Sequence, residues 1–250
     1  MKKYTFSQFL PWLILAAGIV GTGLQFVLFS FSMDEKGLLI TDFWADSASW
    51  ILSALIMLCL LLGIRSLNGS LPYEVLFPKS VLAGLGNWIG AAGIGYACTG
   101  LLGCGRLELA TAAVGAAAVL ILLAAGLCRM KGVQMAAFLR FLPILFFMLN
   151  AICDYRRWRN ATQLQEYAFA LFASVFLMLA NYQRGALETG AAGRKRYTFF
   201  GLGAAFFCIV SCYRHGLYYL AMGIWMLADH CALQPMAKPG PKYLHRNQEE

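Results

Sequence analysis

Eight apolar runs of roughly membrane-crossing length follow one another along the chain, and they leave little choice of fold. They cover residues 9–31, 47–64, 80–99, 107–127, 133–152, 164–183, 197–212 and 216–233. A helix needs about 20 mostly apolar residues to cross a hydrocarbon core of about 30 Å. The expectation is an all-α, polytopic transmembrane bundle of eight spans. The last two runs are short, and a seven-span version would join them as one broken or re-entrant element. Eight is preferred because Arg214 and His215, side by side at mid-membrane, would be costly.

Composition agrees. The chain is 60% hydrophobic and only 13% charged, against about 25% charged in a soluble domain. It lacks the polar surface to cover a water-soluble core. The net charge of +8 does not indicate nucleic acid, because Lys and Arg sit in short clusters between the runs. There they act as topology signals and as anchors for anionic headgroups of the inner leaflet. The partner implied is the lipid bilayer.

Threading follows from those clusters. With the N-terminus inside, one face receives Lys2, Lys3, Arg65, Lys79, Arg129, Lys131, Arg184, Arg194, Lys195, Arg196, Lys238, Lys242 and Arg246. The other receives Lys36, Arg106, Arg156, Arg157, Arg159 and Arg214. Both termini are therefore expected in the cytoplasm of a cell-membrane protein. The first run, which no small-x-small cleavage site follows, reads as a retained helix. Residues 1–233 form a single transmembrane domain, with two four-helix halves, 1–128 and 129–233, suggested by the connection lengths. Residues 234–250, with Pro235, Pro239, Gly240 and Pro241, read as a disordered cytoplasmic tail.

Small residues mark the expected packing. Run three holds Gly84, Gly86, Gly90, Gly93 and Gly95, and run four holds Ala110, Ala113, Gly115, Ala116, Ala117 and Ala118. Small residues let backbones approach closely in lipid, so these two runs predict a tight hairpin. Pro143 predicts a kink in run five. The eight cysteines include no Cys-x-x-Cys pair; Cys59 and Cys208 read as core residues. Cys98, Cys104, Cys153 and Cys212 fall near the outer face, where spacing alone does not fix a disulfide.

The candidate functional residues are few. The outer stretch 153–167 carries Asp154, Tyr155, Arg156, Arg157, Trp158 and Arg159, then Thr162 and Gln165 at capping-box spacing, with Glu166 in the first turn of run six. It reads either as an aromatic-basic belt with Asp154 as partner, or as an anion site clamped by Arg156, Arg157 and Arg159. The other long outer connection is acidic, with Asp34, Glu35, Asp42 and Asp46. It lacks calcium-loop spacing, so no metal is assigned. Gln25, Asn87, Asn150 and Asn181 are membrane-buried polar residues suited to interhelical hydrogen bonds. Arg140 sits about 10 Å deep by helix rise, within reach of the inner interface by snorkelling. His230 reads as interfacial. No carboxylate falls near the midplane, which counts against a cation-coupled transporter. There is no phosphate-binding loop, metalloprotease motif, nucleophile elbow or dinucleotide fingerprint, and no cofactor is implied.

Asp34-Glu-Lys-Gly-Leu-Leu39, Tyr155-Arg-Arg-Trp158, Gln163-Leu-Gln-Glu-Tyr167 and Met178-Leu-Ala-Asn-Tyr-Gln-Arg184 resemble segments of a group of multi-pass membrane proteins of anaerobic Gram-positive bacteria with no assigned function. The resemblance implies location and topology, and it supplies no catalytic residue. Three functional readings follow. The first is a non-catalytic membrane protein with a sensing, scaffold or accessory role. The second is a permease for a small or amphipathic solute that enters between two halves. The third is an outer-face enzyme acting on a lipid-linked phosphate.

Overall fold

The computed structural model describes residues 6–31, 44–65, 67, 76–103, 105–158, 167–191 and 193–233. The regular structure among them is helical: α1 (Phe6–Phe31), α2 (Trp44–Arg65), α3 (Val81–Leu101), α4 (Arg106–Lys131), a 3-10 turn (Ala137–Arg140), α5 (Phe141–Trp158), α6 (Ala168–Glu188), α7 (Arg194–His215) and α8 (Leu217–Cys231). Each of the eight apolar runs gives one helix. Six are long and apolar enough to cross a membrane: α1 to α4, α5 together with its 3-10 turn, and α7. The other two fall short for different reasons. Helix α6 carries Asn181, Gln183, Arg184 and Glu188 in its last turns. Helix α8 has 15 residues, about 22 Å at 1.5 Å per residue.

Helix α7 is the centre, and its sequence explains why. Residues 201–210 are buried without interruption, so no polar face exists for solvent or headgroups. Gly201, Gly203, Ala204 and Ala205 keep this helix thin, and α1, α2, α6 and α8 all pack on it. From α7 a ring of neighbours runs through α6, α5, α4, α3 and α8 and returns to α7. Large side chains pack its middle: Phe147 of α5 stacks on Trp225 of α8 at 6.3 Å, Phe146 packs on Phe147 at 5.6 Å, and Met222 is fully buried in the same core.

The glycines of α3 do two jobs. The α3–α4 hairpin is close, as the sequence predicts. A Cβ at Gly84 would lie 2.9 Å from the Gly126 carbonyl, and Trp88 donates its Nε1–H to the Leu123 carbonyl at 3.3 Å. The Gly-x-x-x-Gly pair, however, faces away from α4. A Cβ at Gly86, Gly90 or Gly93 would lie 2.6, 2.8 or 2.7 Å from Ala228, Trp225 or Ala221 of α8. These spacings of four and three residues put one smooth strip of α3 against the short helix.

One expectation changes, and one alternative falls away. Pro143 does not kink a helix interior. The chain runs as a 3-10 turn through Arg140 and begins α5 at Phe141. Pro143 then falls in the first turn, where its missing N–H has no intrahelical partner to lose. The last two runs are separate antiparallel helices, not one broken element. They reverse at Gly216, whose φ of 81° suits glycine, and Tyr197 at the start of α7 meets Asp229 at the end of α8. The expected tail at 234–250 lies outside the described residues.

The ends of the bundle differ in charge. The starts of α3, α5 and α7 and the ends of α4, α6 and α8 come together through Ser80, Arg129, Arg140, Glu188, Tyr197 and Asp229. This is the basic end. Asp46, Arg106, Glu108, Asp154, Arg156, Arg157 and Arg214 lie at the opposite end of their helices.

Candidate functional site: a buried ion network at the basic end

Five buried charges from four elements meet at the basic end. Helix α4 supplies Arg129 in its last turn, and the 3-10 turn supplies Arg140. Helix α6 supplies Arg184 and Glu188 four residues apart, and α8 supplies Asp229. Arg184 is 1% exposed, Arg140 2% and Asp229 0%. Helix C-termini favour the guanidinium groups and disfavour the carboxylates, so the carboxylates persist here only because arginines surround them.

The pairing is direct. Arg140 donates from Nε and Nη2 to Glu188 Oε1 at 3.2 and 3.0 Å, and Nε also reaches Oε2 at 3.3 Å. Arg184 donates from Nη1 to Asp229 Oδ2 at 2.5 Å, and its Nε lies 3.9 Å from Glu188. Arg129 Nε lies 3.8 Å from the other Asp229 oxygen. The Tyr197 hydroxyl of α7 donates to Asp229 as well. One chain of contacts therefore joins Arg140, Glu188, Arg184, Asp229, Arg129 and Tyr197.

Neighbouring residues add further contacts. The Phe77 ring, in the segment before α3, lies under two guanidiniums, with Arg129 at 4.9 Å and Arg184 at 5.2 Å from its centre. Arg129 also donates to the Pro78 carbonyl at 3.0 Å, and Gln134 donates to the Glu188 carbonyl at 2.8 Å. His230 stacks on Tyr197 at 4.8 Å. Three arginines face two carboxylates, so the network holds a positive excess. A cavity of about 310 Å³, lined by Phe77, Lys79, Arg129 and Gln134, opens beside it.

Comparison with protein-family models, with curated proteins and with solved structures finds no match. Both carboxylates are engaged by arginines, so neither is placed to take a proton from a substrate. No group of three or more His, Cys, Asp or Glu that could hold a metal ion occurs among the described residues. What the network does is tie α4, α6, α7 and α8 and the 3-10 turn together at one level.

The residues singled out in the sequence fare differently. Arg140 is the correction: it does not snorkel to the interface but turns inward to Glu188. Arg156 and Arg157 end α5 and are exposed, and Arg159 lies outside the described residues, as do Thr162, Gln165 and Glu166. Arg157 does line an opposite-end cavity of about 350 Å³ with Asp154, Asn150, Tyr218 and Tyr219. Gln25 makes the expected interhelical contact, reaching Ser49 of α2 at 3.4 Å. Asn87, Asn150 and Asn181 bond within their own helices instead, to Ala83, Asp154 and Leu177 at 2.6, 3.1 and 2.9 Å. Cys98, Cys153 and Cys212 carry free thiols, and Cys104 lies outside the described residues. Asp34, Glu35 and Asp42 are also outside them.

The network itself was missed as a network. Arg129 and Arg184 read as topology anchors, and His230 as interfacial, because each stands near the end of an apolar run. The available signal was the i, i+4 pair Arg184 and Glu188 at the end of α6.

Proposed function

We propose that this chain is a non-catalytic multi-pass protein of the cell membrane, a rigid scaffold or accessory subunit with both termini in the cytoplasm. The carrying observation is that the buried carboxylates Glu188 and Asp229 are held by arginines while the middle of the bundle is packed with aromatic rings. A permease needs a polar path or a gap between moving halves, and the space between α5 and α8 holds Phe146, Phe147 and Trp225. An enzyme needs a free acid, base or nucleophile, and Glu188 and Asp229 are held by arginines. The excess of Lys and Arg at the basic end supports its place at the inner leaflet. The likeness to multi-pass proteins of anaerobic Gram-positive bacteria supports the same location.

The test has two arms. Native membranes solubilised gently should yield the chain in a stoichiometric complex with another membrane protein. Proteoliposomes holding the chain alone should take up amino acids, sugars and polyols no faster than empty vesicles. Saturable uptake, or turnover of a lipid-linked phosphate by the purified chain, would overturn the reading.

A further inference from the structure

A second cavity at the basic end, of about 400 Å³, is separate from the ion pairs and has a different chemistry. That volume falls within the range of small-ligand sites, roughly 300–1,000 Å³. Its walls are mostly apolar, from Leu10, Pro11 and Trp12 of α1, Leu82 of α3 and Leu202 of α7. Its polar groups are Arg194 and Thr198 of α7 and His230 of α8.

One of those groups is buried without a hydrogen-bond partner. Thr198 Oγ1 makes no bond, although the residue is only 7% exposed. A buried polar atom left unsatisfied is costly, so the fold carries that cost at the wall of this cavity. His230 is held by its neighbours: its Nδ1 lies 2.8 Å from the Met226 carbonyl, and the ring also meets the Tyr197 backbone. Gly201 makes room for the ring, since a Cβ there would lie 2.0 Å from it.

Access is from the side. Helices α1 and α3 both pack on the α7–α8 pair, and the cavity lies between them. Trp12 and Leu82 on its rim are 65% and 52% exposed on the apolar flank of the bundle. A ligand entering there would bring an acyl chain along the flank and a polar head to Arg194, Thr198 and His230.

We propose that this cavity binds one anionic glycerophospholipid. Arg194 and the Thr198 hydroxyl donate to the phosphate oxygens, and the His230 ring closes the polar wall beside them. The apolar wall takes the start of an acyl chain. This rests on the basic end facing the headgroups, as in the scaffold reading, and gives that reading a lipid as its bound partner.

Native mass spectrometry of the detergent-purified chain tests it, with added phosphatidylglycerol, phosphatidate, phosphatidylcholine and free glycerol phosphate as separate probes. One phosphatidylglycerol or one phosphatidate should be retained per chain, each well ahead of phosphatidylcholine, and glycerol phosphate should not be retained. Arg194→Gln and Thr198→Val should each weaken retention roughly tenfold. Thr198→Val also controls for folding: it removes an unsatisfied hydroxyl, so the lipid-free variant should melt no lower than the parent. Equal retention of phosphatidylcholine, tight binding of glycerol phosphate, or unchanged retention in both variants would overturn the site. These readouts use the isolated chain, so their failure overturns the lipid site alone. Solute uptake by proteoliposomes would overturn the scaffold reading alone.

Discussion

Replacing Asp229 with Asn should destabilise the bundle more than any other isosteric change at the basic end. The side chain is fully buried, accepts from Arg184 at 2.5 Å and from Tyr197, and lies 3.8 Å from Arg129. Asn keeps the volume but removes the charge. Three arginines then share only Glu188, and Arg184 and Arg129 lose their common counter-charge. Breaking one side of a buried ion pair costs about 3–5 kcal/mol, because the remaining charge has no compensation. For a chain of this size each kcal/mol moves the midpoint by about 2–4 °C, so the fall should be roughly 6–20 °C. The assay is thermal unfolding in one detergent, followed by helical circular dichroism. The double variant Asp229→Asn with Arg184→Gln removes the stranded charge as well, and its loss should be smaller than the sum of the two single losses. A midpoint for Asp229→Asn within about 2 °C of the parent would mean that the carboxylate does not hold the guanidiniums.

Other outcomes follow from the same contacts. Tyr197→Phe removes one donor to Asp229 and should cost about 1.5–3 kcal/mol, clearly less than Asp229→Asn in the same melt. Gly90→Ala places a methyl 2.8 Å from Trp225 and should cost about 1–3 kcal/mol by overpacking. Gly23→Ala, with nothing within 4 Å, should leave the melt unchanged or raise it slightly, through its helical preference. Among the described cysteines, exposed Cys231 should react with a thiol reagent in the folded protein, while Cys153 and Cys208 should react only after unfolding.

The helices were legible because burial in an apolar phase leaves a plain trace, a run of apolar residues closed by charge. Even α8 left that trace, although it is too short to cross alone and depends on the glycine strip of α3. What was not legible was the direction of single side chains. Gly86 and Gly90 announce a close approach but do not say whether α4 or α8 makes it. Arg140 reads as snorkelling because distance along a helix gives depth, while the break from 3-10 turn to α-helix that turns it toward Glu188 comes from tertiary packing. Asp229 and Arg184 are 45 positions apart, and each alone is an ordinary charge at a helix end. Only the antiparallel stacking of α6, α7 and α8 brings them to one level.

Sided cysteine labelling decides whether the arginine network of this proposed membrane bundle faces the cytoplasm. Ala191→Cys marks the basic end between α6 and α7; it is exposed and avoids Gly190, whose φ is 74°. Arg157→Cys marks the opposite end and is also exposed. A membrane-impermeant maleimide added to intact cells should label Arg157→Cys above the parent background, and Ala191→Cys only after permeabilisation. Labelling of Ala191→Cys in intact cells, with Arg157→Cys protected until the membrane is opened, would contradict the account.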